Sequence, residues 1–379
     1  FFLCALAGLF LPKFFVSFIL NDFNYPGVFR NILTWHSHEM IFGFTMALLS
    51  GFLLTASVNW SGNRVRNGLW LFALALFWIL ERIAMVTPIP STLAILLNFP
   101  FMILFLIMAG LQLKGNRNFK ILMPALLAFF LAKEMLVLGD LFENKPVAWA
   151  GRDLSLGLIR YLLALIACRL IPFFSNKRFV NIDAINLPLT LRGTFLISLL
   201  LSDILKAIFH LLSLPLLVHN LLLDLPLAVA LISGIWAWKL MRPQQTIKEP
   251  MLLILNIGFL WLLLSCIGEI VSHHLQWFAI TNVHIHILTA GALGSFSIGM
   301  MTRVSLAHSG RMMKASKTIM AMFILVNLGA LTRILVPIVA NQYFSSLLHT
   351  IAGFWVGAYF LYLIPFTKIL WTSQPGLSK

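Results

Sequence analysis

Twelve apolar runs, most of them near 20 residues, divide this 379-residue chain almost from end to end. They fall at about 1–20, 38–57, 68–86, 92–113, 119–138, 154–173, 193–212, 218–238, 251–271, 284–303, 315–338 and 344–370. A bilayer core is crossed by roughly 20 apolar residues in helical form. In lipid the backbone has no water to bond to, so a spanning segment is a helix or part of a closed barrel. Continuous runs of this length, without strict alternation, predict helices. The expectation is therefore an all-α, polytopic transmembrane helical bundle of about 12 spans. The linkers are too short for a separate soluble domain, so residues 1–379 read as a single integral membrane domain. The chain opens on Phe1 inside an apolar run rather than on Met, and the natural N-terminus is expected upstream.

The net charge of +15 would suit nucleic acid if it formed one patch, but it tracks the linkers instead. Eighteen of the 27 Lys and Arg residues lie on alternate linkers and beyond the last run. They include Arg64 and Arg66, Lys114, Arg117 and Lys120, Arg169, Lys177, Arg178 and Arg192, Lys239, Arg242 and Lys248, and finally Lys368 and Lys379. By the positive-inside rule that face is cytoplasmic, and both termini with it. The charge thus predicts topology, with the lipid bilayer as partner and no nucleic acid. Cys4, Cys168 and Cys266 are far apart and show no CxxC spacing, which predicts buried structural thiols rather than a disulfide framework or thiolate cage. The absence of CxxCH also excludes a covalently attached c-type haem.

Two stretches 248 residues apart share one layout. The first carries His36-x-His38, Gly43, Gly51, Ser57 and Ser61-Gly62; the second carries His284-x-His286, Gly291, Gly299, Ser305 and Ser309-Gly310. Seven of the 29 paired positions are identical. Histidine is costly inside a membrane and is the commonest metal ligand. Under the predicted topology both pairs lie at the outer ends of their helices and approach a common cavity. A bland reading stands beside this one, because a single histidine at a helix end is ordinarily an interfacial or hydrogen-bonded group. Residues two apart on a helix also point about 200° apart, so one ideal helix cannot aim both at one ion. They converge if His36 belongs to an extended lead-in after Thr34-Trp35. His349, slightly deeper on the last span, is a further candidate ligand. His38 and His286 are the principal candidates, each with a glycine five positions on that leaves space beside the helix. His308 and Arg303 fall at the cytoplasmic end and are expected to cap their helix or meet the 169–176 segment.

Ionisable residues within the runs share the outward bias. Glu39, Arg82, Lys133, Glu134, Arg160, Glu269 and Arg333 map to outer halves, with Lys13, Asp203 and Lys206 nearer the middle. Buried charge is expensive and faces a partner, a bundle interior or water, so a polar chamber is expected in the outer half. Glu81-Arg82 and Lys133-Glu134 are sequence neighbours and are not expected to pair along one helix face. A cross-helix pair such as Arg82 with Glu134 is one arrangement open to them.

At these residues the chain resembles the NnrS family of bacterial membrane proteins. The matching segments are Trp35-His36-Ser37-His38-Glu39-Met40-x-x-Gly43-Phe44, Gly51 to Ala56, and Asn59-Trp60-Ser61-Gly62. Arg169-x-Ile171-Pro172-Phe173-Phe174-x-Asn176 matches as well. So does His286-x-Leu288-Thr289-x-Gly291-Ala292-x-Gly294, with Met301-Thr302-Arg303-x-Ser305-Leu306-x-His308-x-Gly310-Arg311 beyond it. Ser61 departs from the usual threonine, and Cys168 stands where glycine is expected. The resemblance implies haem and copper, a multi-pass location in the bacterial inner membrane, and a role in nitric oxide (nitrosative stress) response. A haem would be b-type and non-covalent, with imidazole suiting both iron and copper. His36, His38, His284, His286 and His349 are then the candidate metal ligands. Arg82, Arg160 and Arg333 are candidate partners for haem propionates through bidentate contacts. Nitric oxide or another small diatomic would bind at an open coordination position, and turnover would need an electron donor. Two other classes share these features: a secondary transporter, with its buried charges and duplicated motif, and a quinol-linked electron-transfer membrane subunit. The repeat pairs the second run with the tenth in the same orientation, unlike two equal or inverted halves.

Overall fold

Every element among the described residues of the computed structural model is helical, and those residues are 1–20, 24–63, 67–180, 183–212, 216–275 and 282–372. Arg64, Arg66, Lys379 and the side chain of His219 lie outside them. In chain order the helices are α1 (Phe2–Ile19), α2 (Ile32–His38), α3 (Thr45–Ser61), α4 (Leu69–Val86), α5 (Ser91–Leu113), α6 (Phe119–Leu141) and α7 (Lys145–Arg178). They continue as α8 (Leu189–Leu212), α9 (Leu216–Leu240), α10 (Pro250–His274), α11 (Val283–His286), α12 (Gly294–His308), α13 (Lys317–Val339) and α14 (Phe344–Trp371). Twelve helical stretches are long and apolar enough to cross a membrane, as expected from the runs.

Two of those stretches are interrupted by π-helix, in which backbone bonds close over five residues rather than four. The segment π1 (Glu39–Phe44) joins α2 to α3, and π2 (Ile287–Leu293) joins α11 to α12. Each begins at the residue after a His-x-His pair, so the duplicated motif folds twice into the same local irregularity. Such π turns cluster at functional sites.

The second span starts earlier than its hydropathy suggests. Asn31 is extended and its side chain accepts a hydrogen bond from the Thr34 amide at 2.9 Å. This cap satisfies one of the orphan donors of the first turn and nucleates the helix at Ile32. His36 is consequently helical, and the extended lead-in expected for it is not formed. Helix α7 is also longer than its apolar core, with 34 residues spanning about 51 Å. Its outward extension is supported by close contact with α6: a Cβ on Gly151 would come within 2.5 Å of the Leu136 nitrogen and 2.6 Å of the Ala132 carbonyl. Asp153, buried just inside that end, is neutralised by Arg152 at 2.8 Å.

The chain divides into two compact units, Phe1–Ser155 and Leu156–Lys379. In the first, π1 and α3 pack on α1, α4 on α5, and α5 on α6. In the second, α8 packs on α9, α10 on π2 and α12, α11 on α13, and α13 on α14. Cys4, Cys168 and Cys266 are buried free thiols, as their spacing predicts.

Candidate functional site

In the first unit the His-x-His pair separates into two surroundings. His36 stacks on Phe15 of α1, with ring centroids 3.9 Å apart. His38, one step round the helix and beyond, is fully buried between the rings of Phe29 and Phe42. Its Nδ1 lies 2.9 Å from Glu39 Oε1, and its Nε2 faces Glu81 Oε1 at 3.6 Å. Nearby, between α1 and α2, burial pushes the Tyr25 phenol up from its ordinary value, and its hydroxyl donates to the Met85 carbonyl at 2.8 Å.

A buried ion network extends from His38 across four elements. Arg82 of α4 places Nε 2.9 Å from Glu39 Oε2 and Nη2 2.7 Å from Glu81 Oε1. Lys133 of α6 meets the same Glu81 oxygen at 2.6 Å and donates to the Asn98 carbonyl of α5 at 2.6 Å. The Asn98 amide then donates to both oxygens of Glu134, at 2.9 and 3.0 Å. Glu81 and Arg82 therefore do pair, contrary to expectation. The arginine stem is long enough to fold its fork back across the helix face, and the shared demand of Lys133 holds Glu81 in reach. Arg82 ion-pairs with Glu39 and Glu81, while Glu134 is taken by Asn98, so the Arg82–Glu134 arrangement does not form. Glu39, Glu81 and Glu134 thus share Arg82, Lys133 and the Asn98 amide within one buried cluster.

The glycine five residues past His38 is used differently from the expectation of open space. A Cβ on Gly43 would lie 2.7 Å from Arg82 Nη1, so the guanidinium fills that space. Trp78, one turn before Arg82 on α4, donates its indole N–H to the Gly43 carbonyl at 2.9 Å. The π turn thus has its loosened backbone satisfied by one α4 side chain and its vacant flank occupied by another.

The second unit repeats the pattern with different chemistry. His286 Nδ1 lies 3.0 Å from the Asn282 carbonyl, and the ring is half-buried. A Cβ on Gly291 would come within 2.7 Å of the Trp261 ring, whose N–H is bonded to Asn327 Oδ1 at 2.9 Å. Once more a tryptophan from a neighbouring helix packs on the π glycine. His284 approaches α10 where Gly268 has no side chain: a Cβ there would be 3.5 Å from the His284 Cα. Next to it Glu269 is bound by Arg160 of α7 and by Lys206 of α8, the latter at 2.9 Å. Arg160 also bonds Asp203, which occupies the flank of Gly157. Among the described residues two cations, Arg160 and Lys206, meet two carboxylates, Asp203 and Glu269.

Of the three candidate propionate arginines, Arg82 and Arg160 are held in these ion pairs. Arg333 stacks on the Phe344 ring at 4.9 Å, and among the described residues it meets no carboxylate. Its Nη1 is buried without a hydrogen bond. It lies on α13, the helix against which α11 packs. His349 is exposed on the second turn of α14, so it is not part of a buried donor set. At the opposite end, His308 is exposed, while Arg303 stacks on Phe174 at 3.8 Å and donates to the Met251 carbonyl at 3.0 Å. The contact expected between Arg303 and the 169–176 segment is therefore present. A histidine cluster that spacing alone did not suggest is also formed: Asp224 is shared by His273 and His274, at 2.6 and 2.7 Å.

Among the described residues no group of three or more His, Cys, Asp or Glu side chains is arranged as a metal cage. The donor chemistry nevertheless differs between the two principal histidines. Beside His38 the π-glycine flank is filled by Arg82 and the ring sits in an ion network, so a macrocycle does not fit there. A single ion is the smaller alternative, and the two donors that face each other there are His38 Nε2 and Glu81 Oε1, at 3.6 Å. Around His286 the ring is half-buried, its second nitrogen is fixed by a backbone carbonyl, and the neighbouring α13 offers Arg333 with no carboxylate of its own. An imidazole with one nitrogen tied, and an arginine on the adjoining helix, are the donor types that a planar group bearing carboxylates would need.

The family profile described as NnrS protein matches residues 1–374. Curated proteins and solved structures gave no match.

Proposed function

Because this chain belongs to the NnrS family over residues 1–374, we propose that it is a haem- and copper-binding multi-pass protein of the bacterial inner membrane, acting in nitric oxide response. It binds or turns over a small diatomic. The observation that carries this reading is common to both halves of the duplicated motif. The same member of each pair, His38 or His286, has Nδ1 tied to an oxygen of its own helix. An imidazole donating from one nitrogen presents the other as a lone pair, the usual arrangement of a metal-bound histidine.

In this reading b-type haem belongs to His286, with Arg333 holding a propionate, and copper to His38 and Glu81. His36 and His284 are the supporting members of their pairs. When bound, these groups supply an open coordination position and a redox-active metal. The chain's own residues orient the two rings, exclude water from His38, and hold Glu39 and Glu81 in place with Arg82 and Lys133. Purified full-length protein is expected to show a Soret band that shifts on addition of nitric oxide, together with iron and copper by elemental analysis. Absence of both the band and the metals overturns the reading.

One observation favours a second reading. Two helices interrupted at corresponding motif positions, each beside buried charge, are also typical of secondary transporters, where broken helices line the substrate site. Protein lacking a Soret band but driving proton-coupled uptake in vesicles would support it.

A further inference from the structure

We infer that Glu39, braced by Arg82, is a positioning residue that fixes the tautomer of His38 and so leaves Nε2, the nitrogen that faces the Glu81 carboxylate, as the lone pair. The inference deepens the proposed ion site at His38 and rests on that reading for its purpose, but not for its measurement.

Neighbouring residues on a regular α-helix do not face one another. Here the helix changes to π at Glu39, which lessens the angle between successive residues and lets the carboxylate swing back over the ring before it. Its two oxygens have separate tasks. Oε1 sits 2.9 Å from His38 Nδ1 and Oε2 sits 2.9 Å from Arg82 Nε. With Oε2 on the Arg82 guanidinium, Glu39 in its ionised form can only accept through Oε1, so that in this pairing Nδ1 donates and Nε2 carries the lone pair. Arg82 holds this geometry because the missing side chain at Gly43 gives its guanidinium room directly above the π turn. Glu39, Arg82 and Gly43 thus act as one device, formed by α4 closing on π1. The second unit achieves the same tautomer at His286 with a neutral acceptor, the Asn282 carbonyl. A carboxylate partner raises the basicity of an imidazole ligand more than a neutral one does, so the two rings differ as donors although their sequence motif is shared.

The test is nitrogen NMR of full-length, histidine-labelled protein in lipid nanodiscs, before and after chelator, with the His38 signal assigned by its loss in His38→Gln. In chelated wild type His38 is expected as the Nδ1–H tautomer. Glu39→Ala should lower the ratio of Nδ1–H to Nε2–H by about tenfold or more, as expected for loss of a hydrogen bond to a charged acceptor. Glu39→Gln, which keeps an acceptor oxygen, should restore most of it. Copper titrated into the same samples should bind about 10–100-fold more weakly to Glu39→Ala. An Nε2–H tautomer in wild type overturns the inference without recourse to any variant, as does a ratio unchanged in Glu39→Ala. The expected tautomers with no copper bound by wild type would instead sink the ion site and leave the positioning role standing.

Discussion

The two π-interrupted helices begin from the same motif and end in different electrostatic surroundings. At π1 the principal histidine is fully buried among three carboxylates and two cations. At π2 it is half-buried beside a network of two and two, and its own anchor is an uncharged carbonyl. Both glycines are flanked by a tryptophan from another helix, yet the space is filled by a flexible guanidinium in one case and by a rigid indole in the other. The shared letters therefore set the backbone, while the residues that differ, Glu39 against Ile287 above all, set the chemistry. Duplication has yielded one scaffold carrying two unlike donors.

The largest effects are expected where that difference is turned into metal content. His38→Ala should lose copper and keep haem, and His286→Ala should lose haem and keep copper, as read by elemental analysis and the Soret band of folded protein. Parallel loss of both metals in both variants would break the comparison. Stability comes next. Lys133 is fully buried, and Lys133→Met removes one of the two cations on Glu81, at a cost of about 3–5 kcal/mol. Lys206→Met should cost clearly less, since that side chain is 17% exposed and water can reach it. Reversible unfolding in mixed micelles measures both, and equal losses would mean that the difference in burial has no consequence.

A smaller contrast is expected at the glycines. Gly291→Ala drives a methyl into the Trp261 ring and should destabilise by about 1–3 kcal/mol. At Gly43→Ala the guanidinium can move aside, so stability changes little while the His38 tautomer loses its bias. The smallest effect belongs to His308→Ala. Exposed at the far end of α12, it should leave iron and copper unchanged, and loss of either would place a ligand on the wrong face.

Much of the fold was legible because hydropathy decides it: all twelve spans arise from runs that only lipid accommodates. Boundaries failed where a specific side chain intervened. Asn31 drew the second span back by six residues, to Ile32, and put His36 on a helix, and the Arg152–Asp153 pair allowed α7 to outrun its apolar core. The site was legible in its histidines and not in their partners. Asn98 gave no signal, and the partners of Glu81 could not be read, since both depend on α4, α5 and α6 meeting in space. The pairing of Glu81 with Arg82 was rejected on helix-face geometry that a long side chain and a third residue, Lys133, override. The π segments left only an indirect trace in the sequence, a glycine five residues beyond each second histidine.

The π segments also reset the angular phase of their helices. An α-helical residue advances the chain by about 100°, and a π turn uses more backbone to make one revolution. Everything on the N-terminal side of each π segment is therefore rotated out of step with the helix beyond it, by an angle on the order of one residue. The histidines and the later Gly51 or Gly299 stripe cannot lie on one continuous face, however the sequence is drawn on a single helical wheel. Excising one residue from π1 would restore the phase, carry His38 away from Glu81, and turn a ligand-bearing face into an ordinary packing surface.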